Sequence, residues 1–391
     1  MFTFLDYNFD DLSNVASFRY QGKDGIVFTE TVKFTRTIDN YDRELLNNAL
    51  FLAHIILGTS YYKAEPTTEV KLPRDIDKTQ TLFFNKIYQE GLSQFAFENQ
   101  LTRERLAVFE SNKEETPAAK SLNQTAKALV LVSGGKDSLL ALEKIKQSGI
   151  SHEIAYISPN GTYPSILNDL GNPIIIERTV DKENLKNAGG MNGHVPVTLI
   201  NEAISLIQAI LIGAVHIEFG IGKEGLEPHA WIGDLPVNHQ WSKTAEAQGL
   251  LKNYIKAYIA NNLTISSTLE NHTELEIAEE FAKTCWDKYA GKFSSCNVAN
   301  YKQDNTVQEL KWCGKCAKCA NSYLLFCPYV PYEKQLAIFG HDLFTDPELK
   351  EIFKGLLGVD GVMKPFECIA SIDELKWAYE HKLPGYGDIN F

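Results

Sequence analysis

No stretch of this 391-residue chain is long and apolar enough to read as a membrane span. The greasiest segment, Val197 to Val215, is interrupted by Asn201, Glu202 and Gln208, and it falls short of the roughly 20 apolar residues that a bilayer requires. The opening residues, "MFTFLDYNFDDLS", carry acids where a secretory leader needs basic residues and then an unbroken apolar core. Lys/Arg-rich runs are missing too, and the net charge of −12 comes from dispersed acids. A surface of that sign repels a phosphate backbone, which speaks against tRNA or DNA as a partner. Internal repeats and low-complexity segments are absent as well. Cysteine is scarce at seven residues, and four of them crowd between positions 296 and 319. That distribution points to a reducing compartment and metal binding rather than disulfides, so a cytoplasmic location is expected.

What remains is an ordinary globular composition, 44% hydrophobic and 23% charged, with enough length for two or three cores. The first part is β-rich. "VASFRYQGKDGIVFTETVKF" alternates apolar and polar residues on both sides of Gly22-Lys23-Asp24-Gly25 and predicts a hairpin. Helices are expected over Arg43 to Ile56 and Phe83 to Gln100, and the polar segment Ser111 to Thr125 reads as a linker. From Ala126 the pattern turns to short apolar strands (Ala128 to Ser133, Glu153 to Ser158, Pro173 to Glu177, Ala214 to Gly220) alternating with helices. The helices Ser138 to Ser148 and Val197 to Leu211 lie between them, and such alternation predicts a mostly parallel, helix-covered sheet. Beyond about Asn238 the chain reads as mainly helical and irregular. The expected domains are an N-terminal α+β unit over 1–120, an α/β unit over 126–290 and a cysteine-bearing region over 291–391.

The sharpest local signal is "KALVLVSGGKDSLLALEKI". A strand runs into Ser133-Gly134-Gly135-Lys136-Asp137-Ser138, which opens a helix. A helix N-terminus leaves amide N–H groups unpaired and partially positive, two glycines let an anion approach them, and the serine hydroxyls add donors. Asp137 can hold Mg²⁺ against phosphate oxygens. A plain capped turn would need only one such residue. The spacing is neither that of the Walker loop nor of the dinucleotide fingerprint. It resembles the PP-loop, S-G-G-x-D-S, of ATP pyrophosphatases, which split ATP into AMP and pyrophosphate. That resemblance implies ATP as cosubstrate and an α/β fold with a PP-loop (HUP-like) parallel sheet core.

Cys296, Cys313, Cys316 and Cys319 give C-x16-C-x2-C-x2-C. Four thiolates fill a tetrahedral Zn²⁺ and leave no open position, which predicts a structural zinc in a mainly helical C-terminal region. An Fe–S cluster is the alternative. Other polar residues gather at expected strand ends. They are His194, then Glu218, Lys223 and Glu224, then Asn238, His239, Ser242 and Lys243, with Lys364, Glu367 and Cys368 near the C-terminus. From chemistry and position, His194, His239, Lys243 and Cys368 are the candidates for proton transfer. Lys63 and Lys364 are candidates to meet substrate anions on charge alone. Tyr61 and Tyr62 either contact a ring or pack.

In order, "SYYKA", "SGGKDS", "NGHVPVT", "VNHQWSK", "FSSCN", "WCGKCAKC" and "MKPFEC" resemble the MurL-type epimerases over nearly the whole chain. The resemblance implies ATP- and Mg²⁺-dependent inversion of the terminal L-Glu of UDP-MurNAc-L-Ala-L-Glu, a peptidoglycan precursor, with AMP and pyrophosphate as products. It carries no acid/base pair onto this chain, and "FGIGKEGLEP" departs from the family pattern. No nucleic-acid or membrane partner is expected from the charge and hydropathy pattern above, and the oligomeric state stays open. Two other readings stand beside it. One is a different PP-loop enzyme, similar to 7-cyano-7-deazaguanine synthase or to a tRNA-modifying adenylating enzyme. The other is a nucleotide-binding protein without chemistry.

Overall fold

The computed structural model describes residues 1–115, 117, 119–123, 127–159, 161–223, 227–300 and 307–391. Nine strands form its main sheet: β1 (Phe2–Asp10), β2 (Val15–Gln21), β3 (Val27–Lys33), β4 (Val70–Lys71), β5 (Ala128–Leu131), β6 (His152–Ser158), β7 (Ile174–Thr179), β8 (His216–Glu218) and β9 (Thr264–Ser266). The order across the sheet is β9-β8-β5-β6-β7-β3-β2-β1-β4. From β9 to β7 every pair is parallel, as the βα alternation predicts. Strand β5, Ala-Leu-Val-Leu, is buried on both faces because helices cover both sides of it. The hairpin of β2 and β3 forms around Gly22 to Gly25 as expected, and β2 alternates buried and exposed residues.

The N-terminal strands are not a separate layer. β3 pairs antiparallel with β7 through Thr31–Thr179, Val32–Arg178 and Lys33–Glu177, so one sheet runs across the expected boundary near residue 120. The fully buried Glu30 accepts from Arg178 Nε at 2.6 Å, and Arg178 also donates to Ser60 Oγ at 2.9 Å. Breaking a buried ion pair by removing one partner is strongly destabilising, so this contact fixes the register of the seam. The expected linker is strapped down at several points. Asn112 N–H donates to the Ile76 carbonyl, Ala119 N–H to the Ala257 carbonyl and Leu122 N–H to Asn262 Oδ1.

Five helices matter for the site: α1 (Arg43–Leu57), α2 (Lys136–Ser148), α3 (Val197–Ile212), α4 (Glu274–Thr284) and α5 (Ala317–Phe326). α1 packs on α3 within one core, while α2 packs on α4 and α4 on α5 within the other. The helix expected over Phe83 to Gln100 is broken into Lys78–Gln89 and Ser93–Glu98. Gly91 stands in the break. A Cβ there would lie 2.4 Å from the Ile87 carbonyl oxygen and 3.1 Å from the Trp241 ring, so only glycine fits. No described helix is long and apolar enough to cross a membrane.

Candidate functional site

Parallel strands β5, β6 and β8 end on the same side of the sheet, where ligands of α/β proteins bind. β5 feeds the glycine loop, and α2 starts directly after it. Gly134 takes φ +85°, a conformation that only glycine holds without strain, and an added Cβ would meet Leu310 Cδ1 at 2.4 Å. Ser138 ties the turn together. Its Oγ donates to the Gly135 carbonyl at 3.0 Å and accepts from Ser133 N–H at 3.2 Å. Gly220, just past β8, closes the third side, with room for no Cβ within 2.6 Å of the Asp137–Ser138 backbone. Sequence reading named the first two glycines but gave Gly220 no such role.

Lys136 points away from the loop mouth. It is 4% exposed, with its ammonium 2.5 Å from both Asp137 Oδ1 and Glu274 Oε2. Burial disfavours its charge, but the two carboxylates outweigh that and raise its pKa. Burial would likewise raise the Asp137 pKa, yet Lys136 and then Lys243 hold it low, so the carboxylate stays ionised. Asp137 thus faces a polar cavity of about 190 Å³ with Ser133, Gly135, Ser295, Lys243 and Lys318 on its walls. An adjoining slot of about 160 Å³ is lined by Leu131, Ala155, Ile157 and Phe219, and a third cavity of about 350 Å³ reaches Lys223 and Lys252. Lys243 lines all three. The donor set suits Mg²⁺, since Asp137 offers an ionised carboxylate to a cavity that also carries serine hydroxyls.

The four cysteines predicted as ligands come together, with all their sulfurs within 4.8 Å of one another. Individual Sγ–Sγ distances are 3.8 Å (Cys296–Cys316), 3.7 Å (Cys313–Cys319) and 3.5 Å (Cys316–Cys319). A tetrahedron of sulfurs about 2.3 Å from one metal has edges of about 3.8 Å, so the group is sized for a metal such as zinc. Gly314 at φ +69° forms the knuckle that turns the Lys315 N–H toward Cys313 Sγ. The same segment roofs the glycine loop. Ser294 N–H donates to the Gly134 carbonyl at 3.1 Å, and a Cβ on Gly135 would stand 2.9 Å from Ser295 Oγ. Cys296 is both a member of the cluster and a wall of the polar cavity.

His194 and His239 also meet, their ring centroids 4.3 Å apart. Burial, then His239 and Lys63, pushes the His194 pKa down to about 3. Burial pushes His239 down to about 4, with Glu367 opposing and Lys318 and Lys243 adding to the fall. Both rings are therefore neutral near pH 7. His239 Nδ1 lies 2.6 Å from Gln94 Oε1, and the Gln94 amide nitrogen donates to Glu98 Oε1 at 2.7 Å. With its nitrogen committed to Glu98, Gln94 offers only its oxygen, so Nδ1 carries the proton and Nε2 keeps a lone pair. A third histidine, His229, stacks on Phe366 at 5.0 Å and lies 6.4 Å from His239. Gln94, Glu98 and His229 went unnamed in the sequence, because nothing local marks them.

Lys243 reaches this group through its charge, which acts on His239 as well as on Asp137. Cys368 is half-buried between Glu367, which accepts from Asn297 Nδ2 at 3.2 Å, and Ile369, whose carbonyl accepts from Gln240. The other named residues separate into roles. Tyr61 and Tyr62 are packed in the core. Glu218 is buried and accepts from Thr268 N–H. Asn238 accepts from Gln240 N–H, the Ser242 carbonyl accepts from Gln248, and Lys364 pairs with Glu227. Lys63 donates to Asn192 Oδ1 and the Gly193 carbonyl beside His194. Glu224 lies outside the described residues.

Two family models match the chain, the MurL N-terminal domain over residues 1–268 and the MurL C-terminal domain over residues 292–383. Curated relatives are similar over almost the full length. A UDP-N-acetyl-alpha-D-muramoyl-L-alanyl-L-glutamate epimerase from Micromonospora sp. is 32% identical over 95% of this chain and 84% of that protein. Proteins of the same name from Salinispora tropica (32%, over 95% and 82%) and Xanthomonas oryzae pv. oryzae (30%, over 96% and 84%) are similar to it as well.

Proposed function

The chain belongs to the MurL family, and from that premise we propose that it is a cytoplasmic epimerase that inverts the terminal L-Glu of UDP-MurNAc-L-Ala-L-Glu at the expense of ATP. The observation that carries the ATP-linked part is Lys243. It lines the cavity at Asp137, and its charge bears on the imidazole of His239, so in this reading it joins the phosphate site to the proton-transfer site.

In this reading the Gly134–Ser138 turn is a PP-loop. Its backbone N–H groups, with the Ser133 and Ser138 hydroxyls, seat the phosphates of ATP. Magnesium held by Asp137 would offset phosphate charge. Zinc in the four-cysteine site would fix the roof over the loop and take no part in the chemistry. The substrate's α-carboxylate oxygen attacks the α-phosphorus, the bond to pyrophosphate breaks, and an acyl-adenylate forms. Lys243, between the cavities, steadies the negative charge during that transfer. Adenylation removes the carboxylate's charge and makes the adjacent Cα–H far more acidic. The lone pair on His239 Nε2 takes that proton.

The two imidazoles do not act from opposite faces. At 4.3 Å between centroids there is no room for a substrate carbon between them, since contacting carbons already sit about 3.5–4.0 Å apart. The histidines therefore form one proton-holding unit on one face of Cα. Lys243 or Cys368 returns a proton from the other. Water then attacks the acyl carbon and releases AMP. Incubation with ATP, Mg²⁺ and the L-Glu substrate tests this, with AMP measured beside the chirality of glutamate recovered by hydrolysis. AMP equimolar with D-Glu is expected, and D-Glu formed without AMP would remove adenylation from the account.

A further inference from the structure

Outside the loop and the histidines, a cavity of about 450 Å³ is bounded by Lys63, Lys182, Lys186 and the Gly189–Asn192 turn. We propose that this cavity is the subsite for the diphosphate of the nucleotide-sugar substrate, an inference that rests on the epimerase reading above.

Three observations carry it. Lys182 and Lys186 stand four residues apart on the short helix Lys182–Ala188, so their stems share one face. Both are exposed, and among the described residues neither ammonium has a hydrogen-bond or ion-pair partner. Among those residues, Lys182 and Lys186 are not held by a neighbouring carboxylate as Lys288 is by Glu143, so both ammonium groups are free to meet an anion. Two like charges left unpaired around one cavity repel each other, and a bound diphosphate converts that cost into attraction.

The second observation is the wall. An added Cβ on Gly190 would lie 1.8 Å from the Ala64 carbonyl oxygen, and Met191 N–H donates to that same oxygen at 3.1 Å. The turn is pressed against the chain on Lys63's own side. Lys63 pins it further through Asn192 Oδ1 at 2.6 Å and the Gly193 carbonyl at 3.1 Å. The wall of the cavity is thereby held in place before any ligand arrives, which lowers the cost of binding.

The third is distance. Asn192 lines the cavity and His194 follows two residues later, so their Cα atoms are at most about 7 Å apart. In the substrate, a hexose ring, a lactyl group and one alanine separate the diphosphate from the reacting glutamate, on the order of 15 Å when extended. A diphosphate in this cavity therefore leaves enough chain for the peptide end to reach the histidines. Adenine nucleotides carry the same diphosphate chemistry, but the glycine loop already offers them a seat.

The test compares the intact protein with Lys182→Ala, Lys186→Ala and the double variant. UDP and ADP are titrated by calorimetry, and KM is measured for UDP-MurNAc-L-Ala-L-Glu at saturating ATP. Because both side chains are exposed, an unchanged melting temperature is expected of each variant. The double variant should raise the UDP dissociation constant and the substrate KM by about tenfold or more, with the loss in KM rather than kcat and with the KM for ATP unchanged. If ADP binding weakens as much as UDP binding, the cavity takes adenine nucleotides and the proposal falls. An active parent enzyme with an unchanged KM in the double variant overturns the subsite and leaves the epimerase standing. A parent enzyme that turns over no UDP-muramoyl dipeptide overturns both.

Discussion

The rings of His194 and His239 are 4.3 Å apart and tilted by 40°, and burial keeps both neutral. A proton taken by one ring cannot be followed by a second on the other, because like charges at that separation repel strongly in a buried site. The pair therefore stores one proton at a time. His239→Gln should lower kcat by about 10²–10⁴-fold, the range of a lost general base. Substrate-dependent exchange of pyrophosphate into ATP should survive, since in the proposed sequence adenylation precedes proton transfer.

Gln94 sets the tautomer of His239, and its role is separable from packing. Gln94→Glu places a carboxylate against Nδ1–H, so the His239 pKa should rise from about 4. The acidic limb of kcat/KM should move up by about one pH unit or more in a pH–rate profile. Gln94→Leu should instead lower kcat without that upward shift.

Stability should fall on mild acidification. His54, His194, His229 and His239 are all held near 3 to 4 in the fold, against about 6.5 when unfolded. Between those values the unfolded chain binds more protons, so stability rises with pH, by up to about 1.4 kcal/mol per pH unit for each histidine. Glu202, pushed by burial up to about 8, works in the opposite sense, but it is one group against four. Thermal melts from pH 7 to pH 5 should show a falling Tm, and replacement of His194 by Asn should flatten the slope.

The cysteine cluster and the glycine loop share one segment, since Ser294 N–H holds the Gly134 carbonyl and Cys296 lies two residues on. Purified protein should carry equimolar zinc by elemental analysis. Chelation or Cys313→Ser should lower Tm by about 5 °C or more and weaken ATP binding severalfold. A Tm loss with unchanged ATP affinity would separate the roof from the loop.

The loop and the cysteines were legible because their signals are local. An apolar strand running into Ser-Gly-Gly-Lys-Asp-Ser and two C-x2-C steps need no partner elsewhere to be recognised. Strands β5 to β8 were legible for the same reason, although the structure shortens each expected Ala128 to Ser133 or Ala214 to Gly220 run where the chain turns into the site. The β3–β7 seam was not, because antiparallel pairing between residues about 145 positions apart leaves no periodic trace in either strand. The same holds for Gln94. Its contact with His239 joins residues 145 positions apart, which no local pattern marks. His194 and His239 could be named as polar residues near strand ends, but their contact is a product of packing.

The central claim, that carboxylate activation and proton removal occur in one site, is tested most directly in D₂O. The protein is given ATP, Mg²⁺ and UDP-MurNAc-L-Ala-L-Glu, and deuterium at the glutamate Cα is followed by mass spectrometry beside AMP. The account predicts D-Glu carrying a single Cα deuterium, appearing in step with AMP and in no preparation lacking ATP. Deuterium entering without ATP, or AMP released with no deuterium at Cα, would contradict it.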